Sequence, residues 1–168
     1  MTEIWKPIEG YETYSISNLG QVWSDIKGRI LDGSIDKNGY LYVRLSKNGE
    51  SKRHYHHRLV AQAFIPNDNP LNTCVDHIFH NITDNRVEVL RWCTKQQNGF
   101  NTKIPTTNTS GYKGVTWDKS RNKWCASIEF NGKRINLGRF ETIEEARDVR
   151  QAKARELFGE FVHSSESI

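Results

Sequence analysis

The chain has 168 residues, of which 36% are hydrophobic and 26% charged, and its formal net charge is +4. These proportions are typical of a folded, water-soluble protein, and no apolar run reaches the roughly 20 residues that a membrane-spanning helix needs. The first six residues lack the apolar core of a secretion signal, and the three cysteines form no CxxC pair. We therefore expect a cytoplasmic, intracellular protein with neither a disulfide scaffold nor a zinc ribbon.

The excess positive charge lies in one stretch of the sequence. Residues 109–158 contain 11 basic and 7 acidic side chains, whereas the rest of the chain contains 13 of each. A local basic excess is expected of a module that binds a polyanion such as nucleic acid, although it also occurs on ordinary protein surfaces.

Residues 5–48 are rich in glycine, asparagine and tyrosine. Apolar and polar residues alternate at 14–17 and 39–45, which predicts short strands separated by turns at 18–20 and 37–39. This segment is predicted to be a small β-rich module.

Residues 54–101 combine helical and extended patterns. A short helix is predicted at 58–64 and is ended by Pro66, and a strand at 74–78 runs into a polar loop at 81–85. The following stretch, 87–98, contains the apolar residues Leu90, Trp92 and Cys93.

The last third begins after a stretch at 102–110 that has the composition of a linker. Three strands are predicted at 115–117, 124–130 and 134–137, with Asn131-Gly132 as a hairpin turn. Thr142 and Glu145 form a capping box that opens a helix, and Gly159 is placed to close it. Helical spacing of Ile143, Ala146, Val149, Lys153 and Leu157 predicts the helix face that lies on the sheet.

The predicted second strand alternates in polarity. Its even positions from Trp124 to Phe130 are apolar and suit the helix, so Ser127 and Glu129 face outward, as do Arg134 and Asn136 on the next strand. A polar sheet face can enter the major groove of DNA, but periodicity alone does not distinguish this from an ordinary solvated face.

The motifs Tyr112-Lys113-Gly114-Val115 and Leu137-Gly138-Arg139-Phe140, with the capping box, resemble the APETALA/ethylene-response-factor DNA-binding domain. The resemblance implies a three-stranded sheet on one helix, with outward residues in the major groove. The DNA contacts that it implies are Lys113, Thr116, Arg121, Lys123, Ser127, Glu129, Arg134 and Asn136. Thr116 and Asn136 replace an arginine and a tryptophan of the plant pattern, so the base preference does not transfer.

The string Val75-Asp76-His77, followed by Gln97-Asn98, has residues suited to phosphodiester hydrolysis. This reaction needs a base that deprotonates water and a cation that stabilises developing charge. A histidine can be the base, and a carboxylate with an amide oxygen can hold a Mg²⁺-like ion. Without further context, an Asp-His pair is more often a structural hydrogen-bonded pair than a catalytic one.

Residues 57–66, Val75-Asp76-His77, 90–94 and Asn98 resemble the HNH endonucleases encoded in phage and intron DNA. Residues 3–24 resemble the small modular motif commonly found ahead of their HNH domain. Together the resemblances imply an α+β protein with a β-rich module at 1–50, a ββα-metal HNH core at 51–101, a linker at 102–110 and a DNA-binding domain at 111–163. That domain would be a three-stranded antiparallel sheet packed on one helix.

By this resemblance, His77 is the general base, and Asp76 and Asn98 hold one divalent ion, Mg²⁺ or Mn²⁺. The products would carry 3′-hydroxyl and 5′-phosphate ends. His57 and Arg91 are secondary candidates that would contact phosphate or orient the site. The structural alternatives are that His57 is a packed imidazole and that Arg91 is an ordinary surface cation. Two departures from the family accompany them. First, Val89 stands where the family has a middle asparagine, and Asn85 is a possible substitute for that residue. Second, Phe79-His80 stand where the family has an acidic residue and a glycine. His80 is either an extra metal ligand or a loop residue.

The leading hypothesis is a site-specific DNA endonuclease of the homing type, encoded by a phage or mobile element, that binds double-stranded DNA as a monomer or homodimer. One alternative is a DNA-binding regulator with a degenerate HNH centre, which Val89 and Phe79 favour. A second is a zinc-organised module that uses Cys74, Cys93 and nearby histidines, which the missing CxxC spacing disfavours.

Overall fold

A computed structural model describes residues 2–101 and 104–162. The chain divides into two compact units, Met1–Lys95 and Gln96–Ile168. Each unit is built from small antiparallel sheets and short helices, which confirms the predicted α+β class.

The first unit begins with two small antiparallel sheets. Their strands are β1 Trp5–Ile8, β2 Tyr11–Ser17, β3 Val22–Ser24 and β4 Arg29–Leu31 in the first sheet, and β5 Ser34–Ile35, β6 Leu41–Lys47 and β7 Glu50–Tyr55 in the second. Neighbouring strands in each sheet are consecutive in sequence, and the predicted turns at 18–20 and 37–39 connect them.

The remainder of the first unit carries the Asp-His pair. Helix α1 spans His56–Phe64, two residues longer at its start than predicted, and β8 (Cys74–His77) pairs with β9 (Leu90–Cys93) after a 3₁₀ turn at Val87–Val89. In the antiparallel register Asp76 lies opposite Arg91, and His77 lies opposite Leu90.

A single hydrophobic cluster joins these elements. It contains side chains from the first sheet, the second sheet, α1 and the β8–β9 hairpin: Ile8, Tyr14, Ile16, Val22, Val43, Leu45, Leu59, Val60, Val89 and Leu90. Because burying one such aliphatic side chain contributes about 1.5–3 kcal/mol, this shared core holds the N-terminal sheets and the HNH-like segment together.

The second unit has the arrangement predicted for the C-terminal domain. Helix α2 (Lys95–Phe100) begins at the boundary between the units, and strands β10 (Val115–Asp118), β11 (Lys123–Phe130) and β12 (Lys133–Phe140) form an antiparallel sheet. Helix α3 (Ile143–Phe158) packs on that sheet. The predicted capping box between Thr142 and Glu145 is present, and the helix ends at Gly159.

The buried face of α3 differs from the predicted one. Its buried residues are Ala146, Arg150, Ala154 and Phe158, at a strict spacing of four, whereas Val149 is 37% exposed. The prediction was therefore wrong for Val149. The two alanines let the helix backbone lie close to the sheet, and a spacing judged on hydrophobicity gives small residues too little weight.

Residues 102 and 103 of the predicted linker, and residue 163 at the predicted end of the last domain, lie outside the described residues. Residues 104–110 contain no helix or strand. None of the helices in the described ranges is long and apolar enough to cross a membrane.

Candidate nuclease centre and nucleic-acid faces

His77 is held at the end of β8 by backbone hydrogen bonds on both sides. Its carbonyl accepts a hydrogen bond from His80 N–H (3.0 Å), and the next residue, Ile78, donates to the carbonyl of Val89 (2.9 Å). The side chain is 5% exposed, and this burial lowers the pKa of His77 below its ordinary value. The imidazole is therefore neutral near pH 7, as a general base must be.

Asn85 fixes the imidazole of His77. Its Oδ1 lies 3.2 Å from Nε2 of His77, while its Nδ2 donates to the carbonyl of Thr83 (3.3 Å). Because the amide nitrogen is committed to a carbonyl, the oxygen faces the histidine and accepts its Nε2–H. This bond selects the tautomer in which Nδ1 carries the basic lone pair.

Asp76 and Arg91 form a buried ion pair across the β8–β9 hairpin. Nε and Nη2 of Arg91 both donate to Oδ2 of Asp76, at 2.9 and 2.8 Å, and the two side chains are only 14% and 7% exposed. The alternative of an ordinary surface cation is therefore wrong for Arg91. Removing one partner of so buried a pair leaves an uncompensated charge, which is strongly destabilising.

An aromatic wall, formed by Tyr40, Tyr55 and His57, lies beside His77. The His57 ring centroid is 5.2 Å from that of His77, and Tyr40 lies 5.2 Å from His57 and 6.1 Å from His77. Tyr55 lies 5.6 Å from His57. Sequence reasoning missed both tyrosines: Tyr40 lies in the N-terminal module, and Tyr55 lies in the HNH segment just before the motif residues that begin at His57.

His57 is a neutral part of that wall. Burial, then the neighbouring His77, lowers the pKa of His57 to about 3, and its Nδ1 is buried without a hydrogen-bond partner among residues 2–101 and 104–162. A neutral imidazole is a poor phosphate ligand, so the geometry favours the orienting role over phosphate contact.

The structure shows where the residues that depart from the family pattern lie. Val89 is buried in the hydrophobic core of the first unit. Phe79 is 72% exposed in the loop after β8, and His80 adopts a left-handed φ of +60° in that loop.

The two predicted metal ligands, Asp76 and Asn98, both carry oxygen donors, which hard cations prefer. Asp76 offers carboxylate oxygen, and Asn98, on α2 of the second unit, offers an amide oxygen. No group of three or more His, Cys, Asp or Glu side chains that could hold a metal ion occurs in the part of the chain that the structure describes. Mg²⁺ is bound in proteins through one or two carboxylates together with substrate phosphates.

The zinc alternative needs thiolates near histidines. Cys74 and Cys93 lie opposite each other in the β8–β9 register, but burial raises the pKa of Cys93 to about 12. Structural zinc sites take four Cys or His ligands, and no group of three or more such side chains that could hold a metal ion lies among residues 2–101 and 104–162.

The outward face of the C-terminal sheet carries the polar side chains predicted to contact DNA. Thr116 lies opposite Cys125, Ser127 opposite Asn136, and Glu129 opposite Arg134. Arg134 donates to Oγ of Ser127 through Nε (3.2 Å) and Nη2 (3.0 Å). This pairing aligns the guanidinium along the sheet face.

The remaining predicted contacts already have partners within the chain. Lys113 Nζ donates to the Phe100 carbonyl at 3.0 Å. Lys123 pairs with Glu141 at 2.7 Å, and Arg121 pairs with Asp118 at 3.2 Å. Exposed ion pairs contribute only about 0–1 kcal/mol, so these cations can exchange their partners for phosphates.

Sequence reasoning did not identify two positions on the sheets where arginines could contact DNA. Arg139 lies opposite Cys125 and shares the outward face of the C-terminal sheet. In the first unit, Arg44 and Arg53 lie directly opposite each other on β6 and β7. The guanidinium of Arg53 lies over the Tyr42 ring, 4.1 Å from its centroid. The balanced charge of the chain outside residues 109–158 concealed this pair.

Family models match three consecutive segments of the chain. The NUMOD4 motif matches residues 3–46, the HNH endonuclease matches residues 54–100, and the AP2 domain matches residues 110–148.

Curated relatives come from viruses and phages. The uncharacterized HNH endonuclease L247 of Acanthamoeba polyphaga mimivirus is 42% identical over 58% of this chain and 25% of that protein. DNA endonuclease I-HmuI of Bacillus phage SP01 is 40% identical over 56% of this chain and 54% of that protein. Protein 3.8 of Escherichia phage T7 is 33% identical over 55% of this chain and 75% of that protein. The chain thus spans about half of I-HmuI and less of the mimivirus protein.

A solved structure, described as "DNA binding and cleavage by the HNH homing endonuclease I-HmuI", matches with a TM-score of 0.53 and 40% identity. The match covers 57% of this chain and 55% of that chain. The chain therefore belongs to the HNH endonuclease family, with a NUMOD4 motif before its HNH segment and an AP2 domain after it.

Proposed function

We propose that the chain is a site-specific DNA endonuclease of the homing type that hydrolyses phosphodiester bonds with His77 as general base. The observation that carries the proposal is a buried, neutral imidazole whose Nε2 is held by Asn85, next to the buried carboxylate of Asp76. The relative I-HmuI, described as binding and cleaving DNA, supports the same reaction.

In this mechanism Nδ1 of His77 takes a proton from the water that attacks phosphorus. Oδ1 of Asn85 accepts from Nε2–H and stabilises the imidazolium that forms, and the adjacent Asp76 carboxylate adds favourable Coulomb energy. The wall of Tyr40, Tyr55 and His57 keeps the ring oriented. A general base of this kind contributes a factor of about 10²–10⁴ in rate.

We further propose that Asp76 and Asn98 are the protein ligands of one Mg²⁺ or Mn²⁺ ion. When bound, the ion would stabilise negative charge on the leaving 3′ oxygen, which corresponds to 3′-hydroxyl and 5′-phosphate products. Arg91 fixes one oxygen of Asp76, which orients the carboxylate.

The proposed DNA contacts are on the outward face of the AP2-type sheet and on the β6–β7 hairpin. The predicted set on the AP2 domain is Lys113, Thr116, Arg121, Lys123, Ser127, Glu129, Arg134 and Asn136. Arg44 and Arg53 are an additional candidate because they lie opposite each other in the β6–β7 register, and guanidiniums bind phosphate through charge-assisted hydrogen bonds. The boundaries proposed for the functional parts remain 1–50, 51–101 and 111–163.

The alternative function, binding without cleavage, is favoured by Val89. We prefer the enzyme because Asn85 makes a direct hydrogen bond to the His77 ring, which would orient the base without the missing asparagine.

Cleavage and binding are tested separately with His77→Gln. This variant should cut DNA at least 10²-fold more slowly than the wild type while its affinity in a gel shift stays unchanged. The matched control is His54→Gln, the same change at a half-buried histidine that packs on Tyr11. Equal cleavage by His77→Gln and His54→Gln would refute the assignment of the base.

The AP2 face is tested with Arg134→Ala. Loss of one phosphate contact should make the negative slope of log affinity against log salt less steep by about 0.9. Lys153→Ala removes one charge from α3, which covers the opposite face of the sheet, and should leave the slope unchanged. The same slope for Arg134→Ala and the wild type would contradict the proposed face.

A further inference from the structure

The turn at residues 17–21, which follows β2 in the NUMOD4 motif, is tightly braced. The hydroxyl of Ser17 accepts hydrogen bonds from Leu19 N–H (3.3 Å) and Gln21 N–H (3.1 Å), and Gly20 N–H donates to the Ser17 carbonyl (2.9 Å). Gly20 has a φ of +86°, a conformation that side chains strongly disfavour.

Residues 2–4, just before β1, bind this turn through Asn18. Oδ1 of Asn18 accepts from Ile4 N–H at 2.8 Å, and Nδ2 of Asn18 donates to the Thr2 carbonyl at 3.2 Å. The Asn18 backbone N–H also donates to the Ile4 carbonyl at 3.0 Å. The turn is therefore fixed to residues 2–4 by three hydrogen bonds of Asn18.

On its inner side the turn touches the HNH segment at three places. The Asn18 carbonyl accepts from Val87 N–H at 2.9 Å, and the Gly20 carbonyl accepts from Nδ1 of the buried His56 at 2.8 Å. A Cβ placed on Gly20 would lie 2.8 Å from Cβ of Asn85 and 3.0 Å from its carbonyl oxygen. Gly20 thus packs directly against Asn85, at a distance that only glycine permits.

Asn85 is also the residue that hydrogen bonds His77. We propose that the turn at 17–21 is a positioning element for the reaction: it sets Asn85, and through Asn85 the orientation and tautomer of the His77 imidazole. This inference rests on the proposed role of His77 as base. It gives the NUMOD4 motif a part in the chemical step, in addition to any contact with DNA.

The hydrogen bond between Nε2 of His77 and Oδ1 of Asn85 is close to the upper limit of hydrogen-bond length. At 3.2 Å, a further shift of about 0.5 Å would take the two atoms beyond hydrogen-bond range. The Nε2–H tautomer would then lose the stabilisation of this hydrogen bond, and a smaller fraction of His77 would carry its lone pair on Nδ1. Misplacement of a reacting group by about 1 Å can cost about 10²-fold in rate.

Gly20→Ala tests the proposal, with Gly10→Ala as the matched control. Both glycines have positive φ, +86° and +77°, but nothing lies within 4 Å of a Cβ on Gly10. Backbone strain is thus shared, and contact with Asn85 is particular to Gly20. In the full-length protein, Gly20→Ala should slow single-turnover cleavage about 10- to 100-fold relative to Gly10→Ala, with unchanged DNA affinity.

The ¹⁵N chemical shifts of the His77 ring report the tautomer independently of cleavage. They should show Nε2–H in the wild type and in Gly10→Ala, and a mixture of tautomers in Gly20→Ala. In an Asn85→Ala background, Gly20→Ala should slow cleavage no further. Equal rates and equal tautomers for the two glycine variants would overturn the proposal.

If Gly20→Ala does not fold, Asn18→Ala is the second variant, since it removes the bonds to Thr2 and Ile4 without adding an atom near Asn85. It should broaden the His77 ring signals and slow cleavage about tenfold. Wild-type signals and rate in this variant would overturn the proposal. A wild-type protein that cuts no DNA would refute the proposed function, whereas the ring shifts would still decide whether the turn positions His77.

Discussion

His57→Gln should make the fold less sensitive to acid. Burial lowers the pKa of His57 from an ordinary 6.5 to about 3. Between these values the unfolded chain binds a proton that the folded protein does not, so the free energy of unfolding falls as the pH falls. Each pH unit is worth about 1.4 kcal/mol, so His57 alone removes about 2 kcal/mol between pH 6.5 and pH 5. Glutamine has no proton to bind in this range.

Urea denaturation at pH 7 and pH 5 measures this effect. The wild type should lose about 2 kcal/mol more than His57→Gln over this interval, with unchanged dependence on urea concentration. The quantity to compare is the change in free energy of unfolding between pH 7 and pH 5 for each protein. Any packing defect that glutamine introduces is present at both pH values and cancels in this change. An identical loss in the two proteins would show that His57 accepts a proton in the folded state, and would refute its assignment as a neutral wall of the site.

Three further predictions concern stability. Val89→Asn restores the residue usual in the family but buries an amide in the core, and should lower the free energy of unfolding by about 1–3 kcal/mol in urea without raising the cleavage rate. Gly114→Ala places a Cβ against the Ser127 carbonyl and 2.7 Å from Nε of Arg150, and it should lower the melting temperature. The control is Gly132→Ala, because Gly132 also has a positive φ but has nothing within 4 Å of its Cβ position. This control should lower the melting temperature much less. Thr142→Ala removes the hydrogen bond that the Thr142 hydroxyl accepts from Glu145 N–H, while the backbone N–H of residue 142 keeps its bond to the Glu145 carboxylate. This change should cost about 0.5–2 kcal/mol by thermal unfolding; an unchanged stability would show that the side-chain cap contributes nothing.

The C-terminal sheet was the part of the fold most fully predicted from sequence, because its determinants are local. Asn131 and Gly132 both have positive φ, as the hairpin turn requires, and Thr142 opens the helix as its spacing with Glu145 indicated. The helix face was predicted less well. Its buried stripe includes Arg150, and hydrophobicity does not show that a cation lies inside.

The candidate site depended on contacts that are distant in sequence. Asp76 and His77 were named from their motif, but the bond from Asn85 and the ion pair with Arg91 appear only when β8 and β9 are placed side by side. The contact of Gly20 with Asn85 joins residues 65 positions apart. No local pattern encodes such a contact, because it follows from the shared hydrophobic core of the first unit.

The most direct test of the central claim is cleavage of a supercoiled plasmid library that carries randomised inserts, with Mg²⁺ or Mn²⁺ and with EDTA. We expect open-circular or linear DNA only when the metal is present, with 3′-hydroxyl and 5′-phosphate ends at recurring insert sequences, and at least 10²-fold slower cleavage by His77→Gln. Intact supercoiled DNA in the presence of either metal, together with a gel shift that shows binding, would contradict this expectation and identify the protein as a DNA-binding regulator.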